Sequence, residues 1–100
     1  MKVYTVIAKY MGYDEYPDKY LGTYDTLEHV IEELGIGVEY INKQWGSVED
    51  YIRWFKNRSD CVLETDTGTC YVISGNLEWG YFLYIYETDL KIQTLKHSFV

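Results

Sequence analysis

Glu78-Trp79-Gly80-Tyr81-Phe82-Leu83-Tyr84-Ile85-Tyr86 decides the fold class. Read with the two-residue period of a strand, Phe82, Tyr84 and Tyr86 point one way and Tyr81, Leu83 and Ile85 the other. Apolar residues on both faces predict a central strand, or one whose outer face is covered by helices or a partner. Upstream, residues 61–65 and 69–74 read as two strands around the turn signal Asp66-Thr67-Gly68. Residues 90–95 are a candidate further strand. A three-residue loop ending in Gly68 would pair Thr65 with Thr69, Glu64 with Cys70 and Cys61 with Ile73. That register puts the two cysteines, Cys61 and Cys70, on opposite faces, so both are expected as reduced thiols. A bridge would need a different loop, such as a two-residue turn at Thr65-Asp66.

The N-terminal half supplies the other elements. Residues 2–10 are rich in Val, Ile, Thr and Tyr, are apolar on both faces, and read as an interior strand. Residues 11–19 form a loop around Pro17, and residues 20–24 return antiparallel to the first strand. A helix is expected from Asp25 as cap, with Glu28 completing a capping box. Leu27, Val30, Ile31 and Leu34 mark its buried stripe and Gly35 its stop. Residues 37–45 fit either a short helix or an irregular packed connection, with Val38, Ile41 and Trp45 facing inward. A second helix starts at Ser47 with Asp50 three positions on, burying Val48, Tyr51, Ile52 and Phe55. Its acids (Glu49, Asp50) lie at the start and its bases (Arg53, Lys56, Arg58) toward the end, complementing the helix dipole. The expected fold is α+β: one domain over residues 1–100, an antiparallel sheet of five to six strands with two short helices packed on it.

Composition agrees. The chain has 100 residues, 47% of them hydrophobic, with one proline, enough apolar material for one core and too much for disorder. Its twelve tyrosines suit half-buried sheets and contact surfaces alike, since each joins a large ring to one polar hydroxyl. No signal-peptide h-region or membrane-length apolar run occurs, which leads to the expectation of a soluble, cytoplasmic protein with no membrane contact.

Catalytic patterns are missing from the sequence. It holds no Gly-x-Gly-x-x-Gly, no Walker loop, no His-Glu-x-x-His and no Gly-x-Ser-x-Gly. His29 lies among glutamates on a helix surface and His97 near the C-terminal end of the sequence, so no enzyme activity is expected. Asp14, Glu15 and Asp18 share a loop but lack the alternating pattern of a calcium-binding loop. Two cysteines and two distant histidines do not make a zinc site. No metal and no cofactor are expected.

Charge is the most uneven property of the chain. Residues 10–40 hold eight acids (Asp14, Glu15, Asp18, Asp25, Glu28, Glu32, Glu33 and Glu39) and one base, Lys19, for a net −7. The remainder holds eight acids and eight bases and is neutral. Glu28 and Glu32 are i, i+4 neighbours, a repulsive placement that no lysine on the helix relieves. Such acids keep a tyrosine-rich domain in solution. They also form a field that a basic surface would recognise, since nucleic acid presents one phosphate per roughly 3.4 Å of each strand. Tyr13 and Tyr16, with Tyr20 and Tyr24, would add rigid amphipathic contact area.

Size, acidity and the missing catalytic motifs resemble small phage-encoded inhibitors and DNA-mimic proteins, and equally the immunity proteins that neutralise basic nuclease toxins. The resemblance implies an inhibitor that docks onto a basic, nucleic-acid-binding surface of another protein. Direct nucleic-acid binding is disfavoured by the net charge. A rival expectation is an oligomeric accessory protein, monomer or homodimer undecided, assembling through the edges of its tyrosine-rich strands.

Overall fold

The computed structural model describes residues 1–10, 17–76 and 81–89. It has five strands and three helices among these residues: β1 (Lys2–Tyr10), β2 (Lys19–Tyr24), α1 (Leu27–Leu34), α2 (Val38–Trp45), α3 (Val48–Lys56), β3 (Val62–Thr65), β4 (Gly68–Ser74) and β5 (Tyr81–Asp89). The strands form one antiparallel sheet in the order β2-β1-β5-β4-β3. The fold is α+β, as expected, with β5 at the centre between β1 and β4. The candidate strand at residues 90–95 and the start of the Glu78–Tyr86 stretch lie outside the described residues, and so does His97.

The helix-side half of the doubly apolar pattern of β5 is explained by its neighbours. Val6 lies opposite Ile85 and Ala8 opposite Leu83 across β1, while Tyr71 and Ile73 of β4 flank the same two residues from the other side. All six are buried and face the helices. Leu27, Val30 and Ile31 of α1, Ile41 of α2, and Tyr51, Ile52 and Phe55 of α3 close the core over them. Burying each such side chain stabilises the fold by roughly 1.5–3 kcal/mol before ordering costs.

Three helices are present where two were expected. The segment left open between helix and connection is α2, whose Ile41 is fully buried. Its intrinsic signal is weak because Gly37 offers no side-chain cap. Tertiary packing of Ile41 decides it, which is the usual source of helix stability in proteins.

The first helix also starts one residue later than expected. Thr26, not Asp25, is the N-cap: its backbone is extended and its Oγ1 accepts from the His29 amide at 3.1 Å. Asp25 instead turns its carboxylate to the His29 ring, Oδ1 to Nδ1 at 3.3 Å. With Thr26 as cap, His29 takes the position a capping-box glutamate would need, so Glu28 closes no box. Ser47 caps α3 as expected, accepting from the Asp50 amide at 3.0 Å.

Gly35 ends α1 by proximity rather than by a left-handed turn. Its φ of −76° suits any residue, but a β-carbon there would lie 2.8 Å from the Ile31 carbonyl oxygen. The space is used by a bridge to Gly75 and by the Asn76 amide, which donates to the Leu34 carbonyl at 2.8 Å. The end of α1 is thereby tied to the end of β4.

The β3–β4 register differs by one residue from expectation. Thr65 pairs with Gly68, Glu64 with Thr69, Leu63 with Cys70 and Val62 with Tyr71, around a two-residue loop of Asp66 and Thr67. This register sets Val62 beside Tyr71 on the helix side, where both pack on the core; the shifted one would turn Val62 outward. The Thr65 hydroxyl donates to the Gly68 carbonyl at 2.6 Å and closes the loop. Gly68 has a φ of +140°, and a side chain there would meet the Glu87 backbone oxygen. Both cysteines are free thiols. Cys61 packs against the helix-side core, whereas Cys70 lies on the opposite face opposite Tyr86.

Candidate partner-binding face

The acidic residues expected to form one face are divided by the fold. Leu27, Val30 and Ile31 anchor α1 on the sheet, so Glu28, His29, Glu32 and Glu33 are turned to solvent. Asp25, His29 and Glu33 form a column along it. His29 Nδ1 meets Asp25 at 3.3 Å and Nε2 meets Glu33 at 3.0 Å. The Tyr24 ring stands edge-on to the imidazole, centroids 5.2 Å apart. Hydrogen bonds that the ring donates to Asp25 and then Glu33 raise the His29 pKa above its ordinary 6.5. Burial raises the Tyr24 phenol, with Glu33 adding to the effect.

Glu28 and Glu32 occupy the neighbouring column. Neither makes an ion pair with a described residue. Glu39 lies on α2, 3.8 Å from Lys43 and almost fully exposed. Asp18 is drawn elsewhere: it pairs at 3.6 Å with Lys9, whose Nζ sits 4.5 Å from the centre of the Tyr84 ring on the helix-free side of the sheet. Tyr20 joins that side as well, paired with Ile7 and bonded to Thr23 at 2.9 Å. Asp25, Glu28, Glu32 and Glu33 are therefore one surface. Glu39 belongs to a different helix and is paired with Lys43, while Asp18 and Tyr20 lie on the helix-free side of the sheet. Tyr13, Asp14, Glu15 and Tyr16 lie outside the described residues.

Both arginines at the basic end of α3 are neutralised from within, while Lys56 lies 5.8 Å from the centre of the Tyr71 ring. Arg53 meets Asp50 at 2.8 Å and Glu49 at 3.5 Å, and Arg58 grips Asp60 with two bonds of 3.0 Å. Asp60 is consequently held below the usual carboxylate range. Burial raises the pKa of both thiols, which lowers their thiolate fraction and their nucleophilicity. Among the described residues no group of three His, Cys, Asp or Glu converges on a metal position. Asp25 and Glu33 engage opposite nitrogens of His29, so the column cannot close on one ion. No described helix is long and apolar enough to cross a membrane.

One feature escaped the sequence reading, and another was left open by it. The first is an open cleft of about 520 Å³ between α2 and α3, walled by Tyr40, Trp45, Tyr51 and Trp54. The rings pack with centroids 4.5 Å (Trp45–Tyr51), 5.0 Å (Trp45–Trp54) and 6.2 Å (Tyr40–Trp45) apart. Helical spacing could have flagged Tyr51 and Trp54, but Tyr40 and Trp45 needed α2 to be assigned first. The other is the sheet face away from the helices, which carries Ile7, Val72, Phe82, Tyr84 and Tyr86. No described element covers it.

No protein-family model, no curated protein and no solved structure matches the chain. What the fold itself defines is a five-stranded antiparallel α+β domain with a helical layer on one side.

Proposed function

We propose that the protein is a non-enzymatic binding domain whose α1 surface docks onto a basic surface of another protein, one built for nucleic acid, and blocks it. One observation carries the reading. Glu28 and Glu32 project from a helix anchored in the core, and no described base neutralises them. Acids kept only for solubility gain from interspersed bases, as on α3 and just after it, where Arg53 and Arg58 each have an acid. Among the described residues the α1 surface has a single partial counter-charge, His29. Fixed like charges raise association rates with a complementary partner and make binding sensitive to salt.

The test is charge reversal. Glu28→Lys combined with Glu32→Lys abolishes capture of the partner from host-cell extract at low salt, while the circular-dichroism melt stays within a few degrees of the parent. The parent complex itself dissociates steeply between 50 and 300 mM salt, on the order of tenfold or more. Retained affinity in the double variant would sink the proposal.

A second reading rests on the uncovered sheet face. Patches of this kind mark protein contacts, and a second copy could pack there. Pairing through strand edges is less supported, because β3 has four residues and β2 is interrupted by a register shift opposite Val6 and Ile7.

A further inference from the structure

The aromatic cleft between α2 and α3 adjoins the α1 surface. Its wall begins at Ile36 and Gly37, directly after the helix carrying the acids, and continues to Tyr40, the neighbour of Glu39. At about 520 Å³ it falls within the range of roughly 300–1,000 Å³ common to ligand clefts. Tyr51 forms a buried floor, whereas Tyr40 and Trp54 stand 54% and 40% exposed at the rim. Exposing two large rings to water without a partner is unfavourable. Ser74 and Asn76 supply polar groups at the mouth.

We propose that this cleft receives an arginine side chain of the basic partner, stacked on its exposed aromatic rim, Tyr40 and Trp54. The inference rests on the docking reading and adds the residue that it recognises. Three observations favour a guanidinium. First, Trp54 already holds one on its outer side, with the Arg58 guanidinium carbon 4.7 Å from the ring centre. Second, a guanidinium is planar and weakly hydrated, so it stacks on tilted Trp and Tyr rings more readily than an ammonium does. Third, the polar residues Ser74 and Asn76 are part of the lining, and the chain as a whole carries a net charge of −7. A buried aromatic anchor beside a charged rim is also how binding energy concentrates at protein interfaces.

The experiment compares three peptides on the intact protein: octaarginine, octalysine and octacitrulline. The first two have equal charge, and the third is the neutral near-isostere of the first. Affinity is read by calorimetry and by the indole N–H resonances of Trp45 and Trp54. The expected result is binding of octaarginine about fivefold to tenfold tighter than octalysine, with no binding of octacitrulline. Tyr40→Leu, which truncates an exposed ring, and separately Trp54→Leu remove that preference by weakening octaarginine several times more than octalysine. Glu28→Lys with Glu32→Lys weakens both cationic peptides and keeps the preference. Equal affinity for octaarginine and octalysine overturns the cleft assignment while leaving the docking reading standing. Failure of both to bind at low salt overturns the docking reading and the assignment with it. Indole shifts with octacitrulline or with a neutral polyproline peptide, but not with octaarginine, assign the cleft to an uncharged occupant instead.

Discussion

His29 is the residue at which charge, pH and the proposed docking surface meet. Asp25 and Glu33 favour its protonated form, so its folded-state pKa lies above the ordinary 6.5. A group raised in this way contributes stability that is fully present below its unfolded pKa and is lost as pH rises through the folded value. The expected outcome is a His29 Cε1–H titration with a midpoint above 6.5, falling toward 6.5 when Asp25→Asn and Glu33→Gln are combined. Proton NMR measures it directly. Deprotonation also removes the one positive charge among the α1 acids. Partner affinity should therefore rise as pH passes upward through that midpoint, and His29→Gln should flatten the dependence. Part of this was legible beforehand, because a histidine flanked by acids at i−4 and i+4 is visible in the sequence. Which of Asp25 and Thr26 caps the helix was not legible. Both residue types cap well, and only the turn of Asp25 toward the imidazole decides between them.

At the scale of the element, the caps of α1 and α3 make parallel predictions. Thr26→Ala and Ser47→Ala each remove the acceptor for a first-turn amide and should each cost about 1 kcal/mol in urea unfolding. Asp25→Ala should cost less, since its contacts are an exposed pair with His29. An equal loss at Asp25 would mean that the cap had been misassigned. Local signals of this kind served α1 and α3 well: of the expected stripes, Leu27, Val30, Ile31 and Tyr51, Ile52, Phe55 are buried, while Leu34 and Val48 are half-buried against the same core. They served α2 poorly, since a glycine cap and one buried residue leave little periodicity to read. The β3–β4 register was out of reach for a different reason. Turn chemistry at Asp66-Thr67-Gly68 allows two loop lengths, and burial of Val62 against the helices, a long-range effect, selects one.

Across the whole molecule, the tyrosines are divided between the two sides of the sheet. Tyr4, Tyr24, Tyr51, Tyr71 and Tyr81 belong to the helix side, and Tyr20, Tyr84 and Tyr86 to the other. Burial pushes the hydroxyls of Tyr51 and Tyr71 up to about 12, so these two report the core in an alkaline spectrophotometric titration. If the uncovered face pairs two copies, Tyr84→Glu should shift sedimentation from dimer to monomer without lowering the melting temperature; a parent that sediments as a monomer at 100 μM removes that reading. The sheet order has one more consequence, for the making of the chain. β1 pairs along its full length with β5, residue 2 against residue 89, so the earliest strand waits for the last described one. At about 5–20 residues per second, the N-terminal strand spends on the order of several seconds outside the ribosome with only β2 beside it. Val6 and Ala8 have no Ile85 or Leu83 to cover them in that interval, and the helices have only part of their floor. Folding is thus held back until nearly all of these residues are synthesised, and it is slow for the size of the domain because its central contact joins distant residues. Truncation before Tyr81 should leave a chain that chaperones retain rather than a smaller version of the fold.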